Sequence, residues 1–219
     1  MPEAAAPKKP MAEARRKLLD AALSMIRERG YAATSVDELC ARAGVAKGSF
    51  FHHFPDKEAL ATAAAAHWSE TTGAFFAAAP YHHHPDALDR VLGYIDFRAA
   101  ILRGAVPEFT CLVGTMVQEV HGTHPRIRAA CEASILGHAA TLEADIAAAM
   151  ERHGIRADWS AASLALHTQA VLQGAFILAK ATGGAAAAAD SVAHLRRYVA
   201  LLFHPTPASS EERPHADHG

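Results

Sequence analysis

Cysteine is scarce in this sequence: Cys40, Cys111 and Cys131 are the only three, an odd number at wide spacings. That pattern excludes a disulfide framework and a cysteine-based zinc site. Aromatic residues make up 7% of the chain, and runs of β-branched residues that would read as strands are missing. No stretch reaches the ~18 consecutive apolar residues that cross a bilayer, so no membrane partner is expected. The opening residues MPEAAAPKKPM have no apolar centre and do not read as a secretory signal, which with the cysteine usage points to a reducing cytoplasm. There is no glycine-rich phosphate loop, no nucleophile elbow and no paired His-Glu helix motif. An enzyme is therefore not expected, nor is a cofactor. An excess of one charge is lacking too: residues 1–60 hold 10 lysines and arginines against 8 acids, the remainder 11 against 15, for a net −2. This permits a nucleic-acid partner near the N-terminus without requiring one.

What the chain does have is helix-forming sequence. Half of its 219 residues are hydrophobic, many of them alanine. The expected fold is all-α, with about nine helices. Apolar residues recur at Leu18, Leu19, Ala22, Leu23 and Ile26, one face of a helix over 12–29 that Gly30 stops. Thr34-Ser35-Val36-Asp37-Glu38 supplies a capping hydroxyl and first-turn carboxylates for a short helix ending at Gly44. A second short helix covers 46–54. Longer helices are predicted over roughly 56–78, 86–103, 107–121, 125–153, 158–182 and 190–203, with Pro107 and Pro125 in first turns. Residues 1–11 and 205–219 read as loose tails, with the ordered chain dividing into 12–72 and 73–204.

Two short helices joined at Gly44 match a helix-turn-helix over about 35–54. Val36, Leu39, Val45 and Phe50 are placed to pack both helices on the first. The second helix is left to present Lys47, Gly48, Ser49, His52 and His53 to a major groove. The segment Thr34–Leu60, TSVDELCARAGVAKGSFFHHFPDKEAL, resembles the DNA-binding domain of tetracycline-repressor-type (TetR family) regulators. The resemblance implies that Ser35, Lys47, Ser49, Phe51, His52 and Lys57 contact phosphates or bases. It also implies a homodimer on a palindromic DNA operator and a C-terminal domain that binds a small-molecule effector and dimerises through its last two helices. The usual tyrosine at position 51 is Phe51 here, which lacks the hydroxyl for a phosphate.

The later sequence fits that plan. Leu164, Val171, Gly174 and Phe176 on one helix, with Leu195 and Val199 on the next, are the expected dimer face, because a helix apolar on several sides must be covered on several sides. Candidates to line an effector pocket are Trp68, Phe75, Phe76, Phe97, Phe109, Cys111, Met116, His138 and Trp159, which would suit an apolar or aromatic molecule. The run from Phe109 through Gly114, with Gln118-Glu119, His124-Pro125 and Leu172 through Lys180, resembles a branch of the family with a Gly-Cys-Leu pattern. In that branch some members sense electrophiles or oxidants through the cysteine, here Cys111 with Thr110 in place of the glycine. The readings left open are repressor relieved by a ligand, thiol-based sensor acting through Cys111, and, remotely, a histidine-rich metal protein or enzyme. For the last, His82-His83-His84 and His121/His124 lack acidic or thiolate partners at ligand spacing, and no metal is expected.

Overall fold

The computed structural model describes residues 9–203, and among them every regular element is helical. The expected tails lie outside the described residues, except that α1 (Lys9–Arg29) already begins at Lys9. Then come α2 (Val36–Ala43), α3 (Lys47–His53), α4 (Lys57–Ala77), a 3-10 turn at Pro80–His83, α5 (Ala87–Ala100), α6 (Val106–Phe109), α7 (Leu112–Val120), α8 (Pro125–Arg152), α9 (Ala161–Thr182) and α10 (Ala186–Phe203).

Most helix ends are written in the local sequence. Ser35 caps α2: its Oγ accepts the Glu38 N–H at 3.3 Å and the Glu38 carboxylate accepts the Ser35 N–H at 3.0 Å. Arg29 adds an ion pair at 2.8 Å, and these partners together hold the Glu38 carboxyl at about 2. Ser160 caps α9 in the same reciprocal way with Ser163, and the Asp56 and Asp86 carboxylates cap α4 and α5 by accepting the N–H groups of Ala59 and Leu88. Gly44 ends α2 at φ +64, where a side chain would be strained.

One expected helix is two. The single helix predicted over 107–121 breaks at Thr110-Cys111, so that Cys111 is the N-cap of α7 and not a residue one turn inside a helix begun at Pro107. The reason is that the chain serves two cores. Phe109 belongs to a core of α5, α8, α9 and α10 residues such as Tyr94, Ile146, Leu172 and Val199. Leu112, Val113 and Met116 belong to a core with Leu18, Ile26, Leu39, Phe50 and Leu60 of α1–α4. A continuous helix would put Phe109 and Leu112 on one side. The expected division at residue 72 falls inside the unbroken α4, and α7 with the start of α8 shares the core of α1–α4.

α9 is long and apolar enough to match a membrane span by length and composition alone, contrary to the sequence reading that no stretch is. Here it packs between α8 and α10. That packing also corrects the expected dimer face. Leu164, Phe176, Leu195 and Val199 are 4%, 6%, 2% and 0% exposed, sealed within one chain. Val171 and Gly174 are half-buried. The apolar residues left outside are Leu166, Ile177 and Leu178 on α9 and Tyr198 and Leu201 on α10, with the Tyr198 ring edge-on to His167 at 5.4 Å between centroids.

Candidate functional site

Helix α3 stands on Phe50, fully buried, and Phe54, whose rings lie 5.8 Å apart. The opposite side brings the expected residues together: Lys47, Gly48, Phe51 and His52 are exposed, Ser49 and His53 half-buried. Phe51 is 51% exposed although apolar, and a Cβ added to Gly48 would meet nothing, so this face is open to a partner. Lys47 does not stand alone: its Nζ is 2.7 Å from Asp37 Oδ1, and that contact raises its pKa. Burial lowers the pKa of His53, the first cause, with His52 and Arg15 adding to it.

Ser35 and Lys57 are committed to the fold. The Ser35 hydroxyl is spent in the α2 cap. The Lys57 ammonium donates to the carbonyls of Tyr31 and Thr34 at 3.1 and 3.0 Å and sits 4.2 Å over the Tyr31 ring. It pins the first turn of α4 to the link between α1 and α2.

That link is held from a second side. The Glu119 carboxylate on α7 accepts the N–H groups of Tyr31 and Ala32 at 3.1 and 2.8 Å. Gly30 sits beneath it at φ +92, and any Cβ there would overlap the carboxylate. Sequence reading named the Gln118-Glu119 pair without seeing this role, since its partner is almost ninety residues away.

Between the two cores lies a cavity of about 430 Å³ walled by residues from α1 and α4 through α9. Of the expected lining, Trp68, Phe75, Phe76, Phe109, Cys111 and His138 border it. Three candidates do not. Met116 is fully buried in the core under α1–α4, Phe97 is stacked behind Phe75 and Phe76 at 5.3 and 5.6 Å, and Trp159 packs on Phe203 at 6.0 Å. Phe176, expected at the dimer face, lines the cavity instead.

Sequence reasoning missed the polar wall: Arg27, Arg98, Gln169 and Gln173. The Tyr94 hydroxyl accepts from Arg98 Nε at 2.8 Å and Gln169 Nε2 at 3.2 Å and donates to His138 Nε2 at 2.9 Å. A terminal nitrogen of Arg98 donates to the same His138 nitrogen at 3.0 Å. These donors require a neutral imidazole with its proton on Nδ1. Burial first, and the Arg98 charge second, push the His138 pKa down to about 4, which keeps it neutral. The one signal in the sequence was the four-residue spacing of Tyr94 and Arg98, which puts them on one helical face.

Cys111 borders this cavity and a smaller one of about 210 Å³ beside Thr115, Glu119 and Lys180. Its Sγ accepts the Gly114 N–H at 3.4 Å, while the Lys180 ammonium donates to Thr115 Oγ1 at 2.6 Å. All three cysteines are unbridged, and burial pushes the Cys131 thiol up to about 12. Among the described residues no three histidine, cysteine or acidic side chains gather as a metal site. His82 Nε2 instead lies 3.1 Å from the Phe76 carbonyl, and His124 Nδ1 lies 2.8 Å from the Thr123 hydroxyl.

Comparison with known proteins covers both halves. Residues 18–64 match the family described as bacterial regulatory proteins, tetR family, and residues 87–195 match the tetracyclin repressor-like C-terminal domain. The transposon Tn10 TetC protein of Escherichia coli is 44% identical over 46 residues, 21% of this chain and 23% of that protein. The HTH-type transcriptional repressor KstR2 of Rhodococcus jostii (strain RHA1) is 44% identical over 46 residues, 21% of this chain and 22% of that one. The curated relatives are thus matched over about a fifth of their length. The crystal structure of a TetR transcriptional regulator from Chloroflexus aurantiacus J-10-FL superposes with a TM-score of 0.76 at 26% identity, covering 88% of this chain and 96% of that one.

Proposed function

The chain belongs to the tetR family of bacterial regulatory proteins, and on that premise we propose that it is a dimeric cytoplasmic repressor that leaves a palindromic operator when a small molecule with an apolar or aromatic body enters the 430 Å³ cavity. One observation carries this reading. The cavity is bounded by the C-terminal helices and also by Arg27 of α1, which donates to the Glu108 carbonyl of α6 at 3.2 Å. A molecule there lies against α1, the helix on which α2 and α3 of the helix-turn-helix pack. To move an operator-bound population from 99:1 to 1:99 the effector must favour the released arrangement by about 5.5 kcal/mol.

The exposed apolar strip on α9 and α10 is the surface for a second copy. Two α3 helices then meet successive major grooves from one side of the duplex.

The DNA face is tested with a selected operator at several salt concentrations. Lys47→Ala is expected to weaken binding and to reduce the steepness of its salt dependence by about one ion. Asp37→Asn is expected to act in the opposite direction, because it removes an anion 2.7 Å from Lys47 on the side that meets phosphate. Unchanged affinity and slope in both variants would mean that α3 does not face DNA.

A second reading, response through a thiol, is favoured by the position of Cys111 on the walls of both cavities. An adduct on its Sγ would fill the effector's space and disturb the α7 cap. Alkylation that releases DNA equally from Cys111→Ser would exclude it.

A further inference from the structure

We infer that the effector is an organic anion, an apolar body ending in a carboxylate, and that the guanidinium of Arg98 holds the carboxylate. The inference rests on the cavity being the effector site.

Among the described residues three arginines are half-buried: Arg27, Arg90 and Arg98. Arg90 has the partner such a charge requires, Asp145 at 2.7 Å. Arg27 and Arg98 have no carboxylate within ion-pair distance among the described residues, and both border the cavity. A charge taken out of water without a counter-ion is costly, and that cost is removed when a ligand brings the counter-ion. The lining's acid, Glu108, does not serve: it is exposed, and its Oε2 accepts the Ala105 N–H at 2.8 Å, capping α6.

Arg98 is the better anchor of the two. Arg27 is turned to backbone, donating to the carbonyls of Leu23 and Glu108, with its guanidinium 5.1 Å from the Trp68 ring. Arg98 is set by side chains, Tyr94 and His138, and lies 4.3 Å over the Phe76 ring. Those neighbours are neutral and fix its direction while leaving its charge uncompensated. A guanidinium oriented before the ligand arrives suits a planar carboxylate. The rest of the wall, Trp68, Phe75, Phe109, Ile135 and Phe176, suits a ring or a short alkyl chain. At about 430 Å³ the site is near the small end of ligand pockets, which run from roughly 300 to 1,000 Å³.

The test is calorimetric titration of the full-length protein with benzoate, 1-naphthoate, octanoate and decanoate, each beside its uncharged primary amide. At least one carboxylate is expected to bind about tenfold or more tightly than its amide. Arg98→Gln is expected to erase that preference while amide binding stays within about twofold, and Arg98→Lys to retain part of it. Equal binding of every acid and amide by the wild type, or no binding by any of them at millimolar concentration, overturns the proposal without recourse to a variant. An acid preference that survives Arg98→Gln overturns the assignment to Arg98. Operator binding is measured separately: protein that binds DNA but ignores the acid group leaves the regulator reading intact, whereas failure to bind any DNA defeats that reading.

Discussion

Replacing Tyr198 and Leu201 together with glutamate is expected to leave a folded monomer whose operator affinity is lower by roughly a hundredfold to ten-thousandfold. Both side chains are outside the core, at 45% and 61% exposed, so the chain's own packing loses little. In a twofold dimer each substitution appears twice across the axis, and four new carboxylates then face each other in a place that lost its apolar cover. The loss of DNA affinity follows from linkage. Once one α3 is docked, a tethered partner meets its half-site at a high effective concentration, and a monomer forfeits that gain. Sedimentation would read the assembly state, thermal melting the fold, and titration with a full operator and with a half-site the two affinities. A double variant that stays dimeric and binds the palindrome normally would place the dimer axis elsewhere. Leu164 and Val199 make poor test positions, since truncating them opens cavities in the protomer and confounds assembly with stability.

The second large effect is on acid stability and centres on His138. In the folded chain this imidazole takes up a proton only near pH 4, whereas in the unfolded chain it does so near the ordinary 6.5. As pH falls through that window, unfolded molecules bind a proton that folded ones refuse, so stability declines. Above 6.5 both states are neutral and the full stability is present. The gap corresponds to about 3 kcal/mol, most of it lost by pH 4. Denaturant titrations at fixed protomer concentration would show wild type losing about that much more than His138→Gln between pH 7.5 and 4. The remaining histidines and acids cancel in the difference. Parallel pH profiles for the two proteins would show that His138 is not held neutral by its surroundings.

Features set by neighbours in the chain were legible in the sequence. The α2 cap needs only Ser35 and Glu38, the turn after it only Gly44, and the outward side of α3 only the period that buries Phe50 and Phe54. The sequence also carried the all-α class and the resemblance that the matches over 18–64 and 87–195 then established. What was not legible depended on distant partners. Periodicity identifies Leu164, Phe176, Leu195 and Val199 as apolar but not whether the surface against them is this chain or another, and here it is this chain. Pro107 announced a helix start, yet nothing local marks the stop at Thr110, which arises because Phe109 and Leu112 answer to different cores. The cavity was sought among aromatic and other apolar residues, of which Met116 proved to be buried core and Phe97 and Trp159 half-buried packing against the other core. Its arginines were passed over because in a sequence an arginine reads as solvent-facing until the absence of an acid beside it is seen in space.

The pairing of Gly30 with Glu119 restricts how this protein can diverge. A methyl group at position 30 and a carboxylate at position 119 cannot coexist without displacing one of them, and the left-handed backbone at 30 independently disfavours any side chain. Losing the acid alone strands the N–H groups of Tyr31 and Ala32, the second of which is at least in reach of solvent. Glu119 thus joins the wall of the smaller cavity to the link between α1 and α2, so a displacement of α7 at that cavity is carried through two hydrogen bonds to the start of the helix-turn-helix.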